Sequence, residues 1–166
     1  MAKITLKGNP IHTNGDLPAV GSQAPDFHLV DKDLNDVSLA TYAGMKKVIS
    51  IVPSLDTPVC ALSTKKFEEM LAGRDDVVVL VVSADLPFAQ SRFCGAEKIE
   101  QVKALSMMRS RNFAKDYGVL ITDGPLAGIT ARAIVVLDEN DKVLHTEMVP
   151  EIAQEPDYDK AFGALA

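Results

Sequence analysis

The sequence predicts an α/β protein with a central mixed sheet flanked by helices. Two short, nearly continuous apolar runs carry that reading: Val48-Ile49-Ser50-Ile51-Val52 and Val77-Val78-Val79-Leu80-Val81-Val82-Ser83. A strand covered on both faces reads as unbroken hydrophobic sequence rather than as alternation. Between the runs, Val59, Leu62, Phe67, Met70 and Leu71 recur at helical spacing, and Gly73 is a suitable stop. Strand, helix, strand in that order implies a right-handed parallel crossover. Further on, Ala131–Leu137 and Lys142–Val149 flank Asp138-Glu139-Asn140-Asp141, a good hairpin turn. A parallel crossover joined to an antiparallel hairpin makes the sheet mixed.

The other elements follow in order. Lys3–Leu6, a Gly8-Asn9-Pro10 turn and Ile11–Thr13 read as an added N-terminal β-hairpin. A Gly/Pro-rich connection spans Asp16–Pro25. Phe27–Val30 and Val37–Leu39 read as two strands around an Asp/Lys/Asn turn. Asn112–Tyr117 reads as a short helix and Asp157–Leu165 as a closing one. The 166 residues contain no repeat, low-complexity tract or linker, so one domain over 1–166 is expected.

Hydrophobic residues make up 47% of the chain and charged residues 24%, and the net charge is −6. That charge argues against nucleic acid or an anionic membrane as the main partner. No apolar run approaches the ~20 residues of a membrane span. The start, Met1 to Pro10, lacks the apolar core of a secretory signal, so a cytoplasmic protein is expected. The two cysteines, Cys60 and Cys94, form no CxxC, and His12, His28 and His145 are scattered. Nothing supplies the closely spaced ligands of a zinc site, and no metal or other cofactor is expected. In a cytoplasmic protein of this size a disulfide is more often transient and catalytic than structural.

Pro53-Ser54-Leu55-Asp56-Thr57-Pro58-Val59-Cys60 follows the first apolar run. Pro53 ends the strand. Thr57 suits an N-cap, and Pro58 suits the first helical position, where its missing N–H costs nothing. Cys60 then falls in the first turn, where backbone N–H groups lack partners and the helix dipole is positive. Such a place stabilises a thiolate. The Thr57 hydroxyl is expected either to cap the Cys60 N–H or to turn toward the sulfur or a substrate bound beside it. The plainer alternative is an ordinary helix start with Cys60 as a small core residue. Thiolate formation alone does not make a fast reagent. An ordinary thiol is about 3% ionised at pH 7, and what full ionisation gains is largely returned as lost nucleophilicity. Donors aimed at the charge leaving the broken bond must supply the larger effect: first-turn amides, Thr57 and an arginine.

The second apolar run is followed by Ala84-Asp85-Leu86-Pro87-Phe88-Ala89-Gln90-Ser91-Arg92-Phe93-Cys94-Gly95. Pro87 suits a helix start, and Gly95 is expected to end that helix two turns later. Both cysteines thus lie off one edge of the sheet. A disulfide needs Cα atoms within about 7 Å, so Pro87–Cys94 is expected to unwind locally to reach Cys60. A buried structural cysteine remains the alternative for Cys94. Lys65-Lys66 and Glu68-Glu69 read as a solvated helix face, and Arg92 as a solvated arginine.

Pro53-x-x-x-Thr57-x-x-Cys60 resembles the peroxidatic motif of the peroxiredoxins. The Ser83–Gly95 run resembles the resolving-cysteine segment of their atypical two-cysteine branch, the bacterial thiol peroxidases. Asp123-Gly124-Pro125-Leu126, Ala131–Val136 and the N-terminal hairpin resemble that branch too, so the likeness covers nearly the whole chain. It implies a thioredoxin-like fold with an added hairpin. It implies Cys60 as peroxidatic nucleophile, oxidised to a sulfenic acid, and Cys94 as resolving thiol of the same chain. Thr57 would orient sulfur and peroxide, Pro53 would shield the pocket from water, and Arg132 would stabilise thiolate and leaving oxygen. Hydrogen peroxide and alkyl hydroperoxides would be substrates, thioredoxin the reductant and a homodimer the assembly, without metal or haem. From the residues alone, Arg132 in an apolar strand calls for an acidic neighbour. A non-catalytic redox sensor using the same cysteines is the rival reading. A nucleotide-binding module lacks its Gly-rich loop, and a disulfide reductase lacks its CxxC.

Overall fold

The computed structural model describes residues 1–166. A seven-stranded sheet forms its centre. Strands β5 (Lys46–Ile51) and β6 (Val77–Ser83) lie at the middle and pair in parallel, with Val48 opposite Val79 and Ile51 opposite Val82. The 13-residue helix α1 (Pro58–Met70) makes the crossover between them. On the other side of β5 stands β8 (Ala133–Leu137), antiparallel, and then β9 (Val143–Met148). On the other side of β6 stand β7 (Lys103–Ser106), parallel, and the short pair β3 (Leu29–Val30) and β4 (Asp36–Val37).

Side chains alternate across the pleat, which splits the core in two. Val48, Val79, Val81, Ile134 and Val136 face α1 and α4 (Tyr158–Gly163), where they meet Cys60, Phe67 and Ala161. Ile49, Ile51, Leu80, Val82 and Val135 face the opposite way, toward Phe113 and Ala114 of α3 (Asn112–Asp116). Each buried aliphatic side chain contributes about 1.5–3 kcal/mol.

The structure departs from the expected elements at four places. The N-terminal hairpin forms from β1 (Lys3–Leu6) and β2 (Asn9–His12), but its turn is Lys7-Gly8, not Gly8-Asn9-Pro10. Both turn residues have positive φ, 50° and 81°, as a two-residue hairpin turn requires. Pro10 sits in the second strand, which belongs to a two-stranded sheet and tolerates a missing donor. Second, Gly95 does not end the helix after β6. That helix, α2 (Pro87–Ala96), runs past it, and Lys98 takes the left-handed φ of 56°. Third, β7 lacks any apolar run in Lys-Ala-Leu-Ser and was not expected. Leu39, read as strand, instead opens a 3-10 turn over Leu39–Tyr42.

Candidate functional site

The loop after β5 carries the first cysteine. Val52 N–H still donates to Val82 C=O at 3.0 Å, and Pro53 is buried. Thr57 has the extended backbone of an N-cap, and Pro58 takes the first helical position. Ala61 N–H to Thr57 C=O, at 3.0 Å, is the first helical bond, so the Val59 and Cys60 amides have no helical acceptor. The Thr57 hydroxyl neither caps the Cys60 N–H nor bonds to the sulfur. It donates to Ser54 C=O at 2.9 Å and holds the loop turn. Ser63 and Thr64 hydroxyls both donate to the Cys60 carbonyl, at 3.1 and 2.8 Å. Cys60 has no exposed surface, so access to its sulfur requires movement of the side chains that cover it.

Arg132 lies one residue before β8 rather than inside it. It is 3% exposed, and it lacks the acidic neighbour expected for it. None of the ion pairs includes it. Its Nε donates to Ile152 C=O at 2.9 Å and its Nη1 to Cys60 Sγ at 3.1 Å. A buried guanidinium without an anion is costly. Here the group nearest to filling that place is sulfur.

Residues that sequence reasoning passed over hold this arrangement. Thr130, fully buried, donates to Val52 C=O at 2.9 Å, tying the approach to Arg132 onto the end of β5. Ile152 N–H donates to Thr5 C=O at 2.9 Å. Beside it, Glu151 accepts from the amides of Ala153 and Gly8 and from the Thr5 hydroxyl. Those amides pull its carboxyl down to about 2. The N-terminal hairpin therefore buttresses the carbonyl that orients Arg132.

The second cysteine sits on α2, half-buried, with Phe93 and Cys94 packed against the same core face as Cys60. Both thiols are free. Burial, reinforced by the Glu68 carboxylate and opposed by Lys32, pushes the Cys94 thiol up. Cys94 lines a depression of about 420 Å³ together with Lys32, Tyr42, Gln90 and Lys103. A groove of about 630 Å³ separates the Leu55-Asp56 loop from α2, and the exposed Arg92 lines it. Cys60 lines neither.

Asp85 joins the two cysteine-bearing segments. Its carboxylate accepts from Ser54 Oγ at 2.7 Å and Leu55 N–H at 2.8 Å on one side, and from Ser83 Oγ at 2.7 Å on the other. Gln90 Nε2 donates to Ser83 Oγ at 3.0 Å and Leu105 C=O at 2.9 Å, pinning α2 to the sheet. A Ser-Ala-Asp run after a buried strand is the only signal the sequence offered for this hub.

No helix is long and apolar enough to cross a membrane. No group of three or more His, Cys, Asp or Glu side chains is placed to hold a metal ion.

Comparison with known proteins agrees with this chemistry. The Redoxin family profile matches residues 19–162. The chain is 54% identical over 165 residues to a thiol peroxidase of Mycobacterium tuberculosis, covering 99% of each, and equally to one of Mycobacterium bovis. A peroxiredoxin-like protein from Aquifex aeolicus superposes with a TM-score of 0.90 at 44% identity, over 98% of this chain and 95% of that one. A thiol peroxidase from Chromobacterium violaceum does so at 0.90 with 27% identity, over 97% and 93%.

Proposed function

Because this chain belongs to the Redoxin family and is a thiol-dependent peroxidase, we propose that Cys60 is its nucleophile, Cys94 its resolving thiol and Arg132 its charge-stabilising group. The observation that carries this reading is the 3.1 Å contact between Arg132 Nη1 and Cys60 Sγ in a buried site without a carboxylate partner.

The Cys60 thiolate attacks one oxygen of the hydroperoxide; the S–O bond forms as the O–O bond breaks. The departing oxygen takes a proton and leaves as water or alcohol, and Cys60 becomes a sulfenic acid. Charge grows on that departing oxygen, and the Arg132 guanidinium with the unpartnered Val59 and Cys60 amides is preorganised to receive it. Thr57, whose O–H donates its hydrogen bond to Ser54 C=O, keeps acceptor capacity for the peroxide O–H. Buried Pro53 keeps water from the sulfur. The Cys94 sulfur then attacks the Cys60 sulfur, an S–S bond forms, and the sulfenic oxygen leaves as water. A thioredoxin returns both thiols by disulfide exchange.

Hydrogen peroxide and alkyl hydroperoxides are the substrates of this reading. One domain over 1–166, assembled as a homodimer in the cytoplasm, is its setting. Near full-length likeness to thiol peroxidases supports these choices.

The test is NADPH oxidation coupled through thioredoxin and its reductase. Cys60→Ser should be inactive. Cys94→Ser should lose turnover yet still yield one sulfenic acid per chain, trapped by dimedone. Full activity in Cys60→Ser would overturn the assignment.

A further inference from the structure

Glu68, on the helix that carries Cys60, reaches across to the chain just beyond the helix that carries Cys94. Its Oε1 accepts from Gln101 N–H and Val102 N–H, both at 2.9 Å, and its Oε2 from Gln101 N–H at 3.0 Å and Glu100 N–H at 3.2 Å. Three consecutive amides thus converge on one half-buried carboxylate. Carboxylates bind amides more strongly than neutral acceptors do. The solvated helix face expected at Glu68 is replaced by a clamp. At the other end of the same segment, Asp85 ties the chain before α2 to Ser54 and Leu55. Residues 86–99 therefore hang between two carboxylate anchors, and both anchors bind to elements that flank Cys60.

We propose that Glu68 is a positioning residue for disulfide formation. It holds the far end of the Cys94 segment, keeps α2 closed, and thereby sets how long the Cys60 sulfenic acid survives before Cys94 reaches it. The inference rests on Cys94 being the resolving thiol. Between the anchors, α2 is poorly held: only Pro87 and Gln90 are buried, and its end depends on left-handed Lys98 with an Ile99 N–H to Cys94 C=O bond at 2.8 Å. Opening that bond together with the Glu68 contacts to residues 100–102 frees Cys94, so the clamp resists the opening. Glu68 also places a negative charge near a thiol that must ionise to attack. The other charged groups around Cys94 come from the β3–β4 turn (Asp31, Lys32, Asp33), from Glu100 and from Lys103 on β7. Glu68 is the one of these that also grips the segment.

The experiment follows Cys60 oxidation and disulfide formation as successive phases after rapid mixing with hydrogen peroxide, in wild type, Glu68→Gln and Cys94→Ser. Glu68→Gln should leave the first phase within twofold. It should speed the second by roughly three- to tenfold, the size of losing one charge-assisted contact, and move that phase's pH profile to lower pH. Lys65→Gln, which breaks only an exposed contact to Glu97, should change neither phase. An unchanged second phase with an unchanged pH profile in Glu68→Gln would overturn the clamp while leaving Cys94 as the resolving thiol. A second phase that persists in Cys94→Ser would instead overturn the reading beneath it. Hydrogen exchange on wild type gives a check that needs no variant. Gln101 and Val102 amides should lose protection together with residues 88–97 on oxidation. Protection of Gln101 and Val102 that persists while residues 88–97 open would also overturn the clamp.

Discussion

Cys60 and Cys94 follow adjacent parallel strands, but the two helices that carry them are held very differently. Helix α1 buries Cys60, Ser63, Thr64 and Phe67, and Phe67 stacks with Phe162 and meets Tyr158 edge-on at a ring separation of 5.2 Å. Helix α2 is ten residues long and buries Pro87 and the polar Gln90. A helix that short is marginal by itself, and Leu86 and Phe88 at its start are exposed. In the proposed mechanism this difference divides the labour of the two sulfurs. The first reaction needs fixed geometry, because charge must develop opposite donors already in place. The second needs travel, because one sulfur must leave its packing to reach the other. A rigid nucleophile beside a loosely held partner serves both needs within one sheet edge.

The largest test of the rigid half is Arg132→Met. The substitution keeps bulk but removes both donors, and the rate of Cys60 oxidation should fall by about 10²–10³-fold. Unfolding by urea should show little loss of stability, because a buried cation with no carboxylate partner goes with it. Stopped-flow measurement separates the two effects. An oxidation rate within twofold of wild type would place the developing charge elsewhere.

Gln90→Met tests the mobile half. It strips the buried contacts to Ser83 and Leu105 and should weaken the seat of α2 by about 1–3 kcal/mol. Exchange of the α2 amides should quicken accordingly. Disulfide formation should accelerate with it, and peroxide attack should not change. Slower disulfide formation would mean that Gln90 guides Cys94 rather than restrains it.

The same contrast explains what the sequence made legible. The rigid half is written locally. Two apolar runs mark β5 and β6, and Thr57-Pro58 ahead of Cys60 marks the helix start within a few residues. Arg132 was legible as a residue that needs a partner, but the partner lies 72 residues away and is sulfur, not an acid. The supports of the mobile half are longer-range still. Glu68 looks like any exposed helical glutamate until the chain some 32 to 34 residues on is folded against it. Gly95 looks like a helix stop, yet the turn is made at Lys98 because the Ile99 N–H finds Cys94 C=O. Strand β7 has no apolar run because Lys103 is exposed, and at its other end Ser106 pairs with Ser83 beside the Asp85 hub. Local pattern reports what local burial dictates, and anchors between distant segments leave no periodicity behind.

The smallest expected effect lies at the edge of the rigid half. Glu151 holds the hairpin against the Ile152 carbonyl that orients Arg132, and its carboxyl is pulled from an ordinary value near 4.5 to about 2. A group depressed on folding stabilises the fold above its unfolded value, and that contribution is lost as pH falls through its folded value. The Glu151 contribution to stability should therefore be whole above about pH 5 and fade as pH falls from about 4.5 toward 2, while the amide shifts of Gly8 and Ala153 in the folded protein titrate only near 2. Glu151→Gln should flatten that dependence. At pH 7 it should slow Cys60 oxidation by no more than about two- to threefold, the scale of a surface contact. The hairpin reaches Arg132 through Ile152 and through the packing of Ile4 and Ile11 with Ala131, so a loss as large as that of Arg132→Met would show that it carries more of the arginine's alignment than the Nε contact alone.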